Sequence, residues 1–499
     1  MSSTIGSYSL GYTGMSVNQT ALETISHNLA NVNTTGYSRQ RTNSSEIVTS
    51  SAVLGSGVTL DSLTRLRSTM LDRTYRSENA DLAYYEAKSE NLTSAEGLLG
   101  DFSTSTSDDS AEEAGVQLAM GDFFTSWEEL AKDLSSTSAQ DTVLESATSL
   151  VDLVSEMDSQ LQQLQEECAD TVYESVDTLN DLATQVADLN SQIKLAETKG
   201  YSANDLEDQR DALVDQMSEL ADVTVNVQAD GTYQVLIGGV YLVSDDNTHT
   251  LVVAGDGSTN DPLSVTWADT GKSAELSAGS ILAQMEDADQ SVVQTIASTE
   301  LPYDFDPASA STIGELRQGL NALITTIAYK VNDLFSSGVE LGETDTTNTN
   351  TTLFFINNGT GDGTGLNISN IQVNSALSSD SSLLAVSATG EASDGGIATA
   401  IAGLQDSDLL EVDGLSKSVD DYYTAVVSWL ATENETTQGL VTTQESLTTQ
   451  TNTDRLSVSS VSMEDELSKM IEYQTAYSAS SKYLSLVDGL VSDIISLIR

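Results

Sequence analysis

One cysteine, three prolines, two histidines and only 5 % aromatic residues put several classes of protein out of reach. A lone thiol, Cys168, permits no internal disulfide and no paired-cysteine zinc site. In its helical run it reads as a small core or surface residue. Bases are scarce: 19 Lys and Arg stand against 76 Asp and Glu, a net charge of -57. Phosphate contacts need clustered bases, so the charge argues against nucleic acid and against anionic membrane surfaces. No stretch of eighteen apolar residues is present, and hence no transmembrane helix is expected. The first basic residue is Arg39. The N-terminus therefore lacks the features of a cleavable signal peptide, and export would proceed without a cleaved leader.

Reactive chemistry is equally sparse. His27 and His249 lie far apart: His27 reads as a packing or interface residue and His249 as an exposed one. No zinc-protease helix, nucleophile elbow or phosphate loop occurs. Asp304-Phe305-Asp306 and Gly361-Asp362-Gly363 lack the alternating ligands and closing glutamate of a calcium loop. The expectation is a non-enzyme with no cofactor and no metal.

What is present is a pattern at both ends. Ile5, Tyr8, Tyr12, Met15, Gln19, Leu22, Ser26 and Leu29 recur three and four apart. Leu467, Met470, Gln474, Tyr477, Ser481, Leu484, Val491, Ile494 and Ile498 nearly repeat that spacing. Such a stripe lies along one side of a helix and seeks a partner helix. Pairing the first helix with the last satisfies both. Charge agrees. Residues 1–60 sum to zero and 455–499 to -2, so nearly all the negative charge belongs to the middle. Ends crowded around a shared axis tolerate little like charge, whereas a solvent-facing middle gains solubility. A saline habitat is another reason for the acidity.

Between the ends the periodicity changes character. Residues 67–99, 116–220, 313–335 and 419 onward keep helical spacing, with turn-forming residues at 31–37, 200–204 and 458–462. Asn204 or Asp205 is positioned to cap a helix. From Val223 to Ala254 apolar residues alternate, broken by Asp230-Gly231 and Gly238-Gly239, which predicts a β-meander. Gly55 and Gly57 mark turns in an extended segment, and 100–110 reads as a linker. The fold expected is mainly α with inserted β-rich parts. Residues 1–40 plus 460–499 form a terminal coiled coil. Residues 41–220 plus 311–459 form a helical middle, with a mixed excursion at about 338–412. Residues 221–310 form an outer β domain.

Three segments resemble known sequences. Asn28-Leu29-Ala30-Asn31-Val32-Asn33-Thr34-Thr35-Gly36-Tyr37-Ser38-Arg39-Gln40 is similar to the N-terminal signature of bacterial flagellar axial proteins, in its hook-associated form. Leu189–Ile193 and Asn204–Val214 resemble a helix corner of the FlgK family. Arg455–Leu467, continuing through Met470–Tyr477, resembles that family's approach to its last helix. Ser460 departs from a common glycine, which is expected to stiffen the bend before the last helix, and the acidic run Glu464-Asp465-Glu466 is shifted against the usual Asp-Glu-Glu. The resemblance implies a structural, extracellular subunit, exported unfolded and assembled at the hook–filament junction. Its partners would be copies of itself around the axis, the hook protein, a second junction protein, and an export chaperone on the C-terminal helix at Tyr477–Ile498. The assembly residues implied are Ile5, Tyr8, Tyr12, Met15, Leu22, Leu29, Asn31, Asn33, Gly36 and Tyr37 at one end. At the other they are Leu467, Met470, Gln474, Tyr477, Leu484, Val491, Ile494 and Ile498. Flagellin, the hook subunit, or a secreted acidic adhesin or surface-layer protein are the alternatives at this point.

Overall fold

The computed structural model describes residues 2–47, 57–101, 115–258, 260–342 and 352–497. Ile498, Gly55 and linker residues 102–110 lie outside this set, as does the side chain of Ile5. In chain order the elements begin with α1 (Ser2–Ala30), β1 (Gln40–Glu46), β2 (Val58–Arg65), α2 (Thr69–Asp101), α3 (Val116–Lys132), α4 (Thr137–Thr198) and α5 (Asn204–Leu220). Next come β3 (Thr224–Val227), β4 (Tyr233–Ile237), β5 (Val240–Ser244), β6 (Asn247–Thr248), β7 (Leu251–Ala254), β8 (Ser264–Trp267) and α6 (Ser280–Asp287). Then follow β9 (Asp304–Phe305), α7 (Thr312–Ser336), β10 (Phe355–Asn357), β11 (Ile371–Val373), α8 (Ser375–Ser379), α9 (Gly396–Ala402), β12 (Leu410–Val412) and β13 (Leu415–Lys417). Two long helices close the chain, α10 (Val419–Ser459) and α11 (Met463–Leu497).

The 62-residue α4 is the spine. At 1.5 Å per residue it runs roughly 90 Å. Ser136 starts it by accepting a bond from the Ala139 amide. Its buried residues, from Val143 through Leu150, Met157, Leu161, Cys168, Val172, Leu179 and Val186 to Ile193, keep one face inward for the whole length. Two cores share that face. The first joins the early half of α4 to α3, α7 and the start of α10, and centres on Phe123, Trp127, Phe335, Phe354, Phe355 and Tyr422. The second joins the late half to α5, α6 and the strands, through Val214, Met217, Val235, Leu242 and Trp267.

The strands 223–267 follow the expected meander. β3 to β6 form a four-stranded antiparallel sheet in sequential order, and β7 pairs with β8. They do not, however, enclose a core of their own. Their inward residues share one core with the late half of α4 and with α5. Short strands have too few inward positions to bury themselves, and a long apolar helix face supplies the missing half. The excursion at 338–412 is absorbed in the same way, with Phe354, Phe355, Ile371, Leu377 and Ile397 in the first core. Asn204 begins α5 without capping it: the position before it is Ala203, with no side-chain cap, and Asn204 turns toward the Leu63 carbonyl. Among the described residues no helix is long and apolar enough to cross a membrane.

Candidate assembly site at the paired termini

α1 and α11 pack antiparallel. Gly11 faces Leu484, Gly14 faces Ser480, and Asn28 bonds to Glu466 at 2.9 Å, which holds one register from tip to root. The seam on α1 runs through Gly11, Gly14, Asn18, Ala21, Ile25 and Asn28. That line lies one residue, about 100° of helix, from the line nominated by periodicity. Tyr8 and Tyr12 accordingly stand out in solvent, at 53% and 58% exposure, while Met15, Leu22 and Leu29 flank the seam half-buried. The reason is size. A Cβ on Gly11 would sit 2.8 Å from Leu484 Cγ, so only small residues let the backbones approach this closely. A reading weighted by large apolar residues finds the neighbouring line instead. On α11 the overlap is better. Met470, Tyr477, Leu484 and Val491 lie on the packed side with Glu466, Tyr473 and Val487, whereas Leu467, Gln474 and Ile494 face outward.

The root of the pair is an ionic node. Asn31 and Asn33 shape the turn after α1: Asn31 donates to the His27 carbonyl and accepts from Thr34, and Asn33 is exposed. Gly36, at φ +78°, takes a left-handed conformation that favours glycine. Tyr37 then turns inward. Its hydroxyl donates to Asn28 Oδ1 at 2.7 Å and lies 3.0 Å from His27 Nδ1. Burial, reinforced by Asp205, raises its pKa. Asn28, 1% exposed, also receives the Gln40 amide on Oδ1 and donates to the Gln40 carbonyl. Arg39 Nε donates to Glu466 at 2.8 Å, and the Arg39 amide donates to the Ser459 carbonyl. Ser460 is extended at φ -73°, so serine fits the bend where glycine was the common residue.

Behind this lies a denser set. α5 presents Asp208, Asp211 and Asp215 along one face. Arg65 of β2 bonds to Asp208 at 2.7 Å and Asp211 at 2.8 Å, and lies 2.8 Å from Glu207. Arg67 pairs with Asp72, Arg76 with Asp215 and Asp211, and Arg455 of α10 with Asp72 and Asp215. The Ser38 amide donates to Asp208. Burial alone would raise the pKa of Asp211, but Arg67, Arg65 and Arg76 hold it well below the ordinary carboxylate range. Tyr233, whose hydroxyl donates to Asp211, is pushed up to about 12 mainly by burial. Five of the chain's ten arginines converge here, with Arg210 stacked on Tyr233 beside them. They come from α10 and from the segments around β1, β2 and α2, all facing α5 and α11.

Of the residues nominated from the sequence, the structure brings Tyr37 into the node and places Asn31, Asn33 and Gly36 in the turn that delivers it. Sequence reasoning missed Asn28, Arg39, Arg65, Arg76, Asp208, Asp211, Asp215, Arg455 and Glu466 as site residues. The signal available was the acidic line 208–211–215 on one helix face, set against the scarcity of arginine.

Family comparisons bear on these segments. A model described as the FlgK helical domain of the flagellar hook-associated protein matches residues 106–354. Models of the flagella basal body rod protein and of the C-terminal part of the flagellar basal body rod FlgEFG proteins match 10–37 and 453–497, the two limbs of the terminal pair. Flagellar hook-associated protein 1 of Bacillus subtilis (strain 168) is 27% identical over 524 residues, covering 99% of both chains. Its namesake from Escherichia coli (strain K12) is 28% identical over 240 residues, covering 47% of this chain and 42% of its own. The structure of the flagellar hook junction protein FlgK from Burkholderia pseudomallei superposes with a TM-score of 0.59 at 16% identity, over 78% of this chain and 100% of that one; this speaks for the fold. Paired termini with rod-type signatures define the class, a structural axial protein of the bacterial flagellum. Within that class the chain belongs to the FlgK family of hook-associated proteins.

Proposed function

We propose that this chain is the subunit that joins hook to filament, assembled at the hook tip and extracellular. It contacts copies of itself around the flagellar axis, the hook protein below and a second junction protein above. Nothing in its chemistry calls for catalysis, a cofactor, nucleic acid or a membrane. The carrying observation is the terminal pair: its inner face is closed and its outer face is not. Tyr8, Tyr12, Leu467, Ile471, Leu486 and Ile494 stay exposed on the pair. Apolar rows of this kind mark surfaces awaiting neighbours. The nominated residues that lie outside the seam (Tyr8, Tyr12, Leu467, Gln474 and Ile494) are read as contacts between subunits.

Export of an unfolded chain through a narrow channel suits this composition. A protein of long helices without disulfides and with few prolines regains its local contacts quickly. A chaperone covering Tyr477–Ile498 before export would keep the exposed row from premature association. In this division, 1–40 with 460–499 is the assembling unit, and the remainder is an acidic trunk facing water. The test is electron microscopy of a strain lacking the gene. Hooks without filaments, with the filament subunit shed into the medium, support the reading. Normal filaments refute it.

A further inference from the structure

The node divides into two parts that share few atoms. Arg65, Arg67, Arg76 and Arg455 satisfy their charges on Asp72, Asp208, Asp211 and Asp215, all within the trunk. Glu466 takes no part in that set. Its carboxylate receives Asn28 Nδ2 on one oxygen at 2.9 Å and Arg39 Nε on the other at 2.8 Å. Its side chain is 2% exposed. Glu464 and Asp465, beside it in the sequence, are exposed. Glu466 is therefore the one carboxylate of its acidic run that is drawn inside. It joins three segments: the end of α1, the strand lead-in after the turn, and the first turn of α11.

Burial along the pair falls away from this point. On α1 the buried residues near the root are Ala21, Thr24, Ile25 and Asn28, and beyond them Gly11 alone among the described side chains. On α11 only Glu466 and Val487 are buried among the described side chains. A helix pair with so little enclosed surface gains most of its order from what anchors it. The short link Ser460–Ser462 is non-helical, so α11 is free to swing if its first turn is released.

We propose that Glu466 is a latch: it seats the root of α11 on α1 and the Arg39 segment, setting the pose from which the rest of the pair forms on assembly, separately from the trunk's own arginine clamp. This rests on the assembly reading above for its purpose, but not for its test. The latch makes the root of the pair ordered in the free subunit. The distal halves, with thinner burial, are left to be ordered by neighbours. Glutamine of the same size offers one acceptor oxygen where the carboxylate offers two: its amide NH2 then faces Asn28 or Arg39, donor against donor, and the Arg39 charge loses its counter-ion.

The test is amide hydrogen exchange on the full-length monomer, wild type and Glu466→Gln. Cys168, enclosed in the first core, serves as the trunk control through its reaction with a thiol reagent. The latch predicts slow exchange for segments 20–31 and 463–473 in the wild type. In the variant, exchange there rises at least tenfold, while α5 protection and Cys168 reactivity stay unchanged. Three outcomes overturn the proposal: root segments already unprotected in the wild type, no change in the variant, or a trunk that opens with the root. None of these bears on whether the protein sits at the hook tip, which the gene-deletion strain decides.

Discussion

Arg65 and Asp211 meet at 2.8 Å although 146 positions separate them. Asp211 is almost fully enclosed, 1% exposed, and is shared by Arg65, Arg67 and Arg76. A buried ion pair contributes little against a well-packed apolar substitute, yet removing one member strands the other charges in a poor solvent. Asp211→Asn strands parts of three arginines at once. It should cost about 3–5 kcal/mol, read as a lower urea midpoint with an unchanged slope. Asp205→Asn, 60% exposed, should be near neutral by the same measurement.

Acid should first stabilise and then destabilise the trunk. The pKa values of Asp81, Glu86 and Glu219 are raised by burial, with further raising by Glu78 and Asp222 at Asp81, Glu445 and Glu219 at Glu86, and Asp215 at Glu219. Groups raised above their unfolded values bind protons more readily in the folded state, so their ionisation penalty disappears as pH falls toward their folded pKa values. Asp211 has the opposite sign. Its depressed pKa contributes stability that is full above the unfolded value of 3.8 and is lost as pH falls below it. Thermal midpoints should thus peak on the acid side of neutrality, above pH 4, and drop below it. In Asp211→Asn the acid drop should be shallower.

Two glycines should respond oppositely to alanine. Gly97, in α2, has no atom within 4 Å of the point where an added methyl would stand. Gly97→Ala should therefore raise stability by about 0.5–1 kcal/mol through backbone entropy alone. Gly11→Ala places its methyl against Leu484 and Tyr483. It should weaken assembly, read as a higher subunit concentration needed to polymerise, while leaving the trunk's melting unchanged.

Removing residues 1–32 and 463–499 should leave a folded helical trunk that no longer assembles. Both cores lie between Leu92 and Leu430, and the arginine clamp keeps all its members. Far-ultraviolet circular dichroism should show a cooperative, helical unfolding transition. The Cys168 thiol, pushed up to about 12 chiefly by burial, should stay inert to alkylation until that transition.

The order of elements was legible because hydrophobic spacing is a local quantity. The switch to period two at Val223 and the long face of α4 both follow from neighbours within a few turns. The turn glycine Gly36 and the break at 460–462 were legible for the same reason. The placement of the sheet was not, since no local pattern says that β4 lies on α4 and α5 rather than on another sheet. The terminal seam was missed by one residue because close approach selects Gly11 and Gly14, which carry no hydrophobic signal. The node was hidden most deeply. Arg39, Arg65 and Arg455 look like isolated surface charges until the fold carries them to α5 and α11.

The most direct measurement is the position of the chain in an intact flagellum. An epitope placed in an exposed loop of the trunk, such as Asp269–Lys272, should be labelled by immunogold electron microscopy as one narrow band between hook and filament. Label along the filament or along the hook, or no label on flagella at all, would contradict the junction assignment.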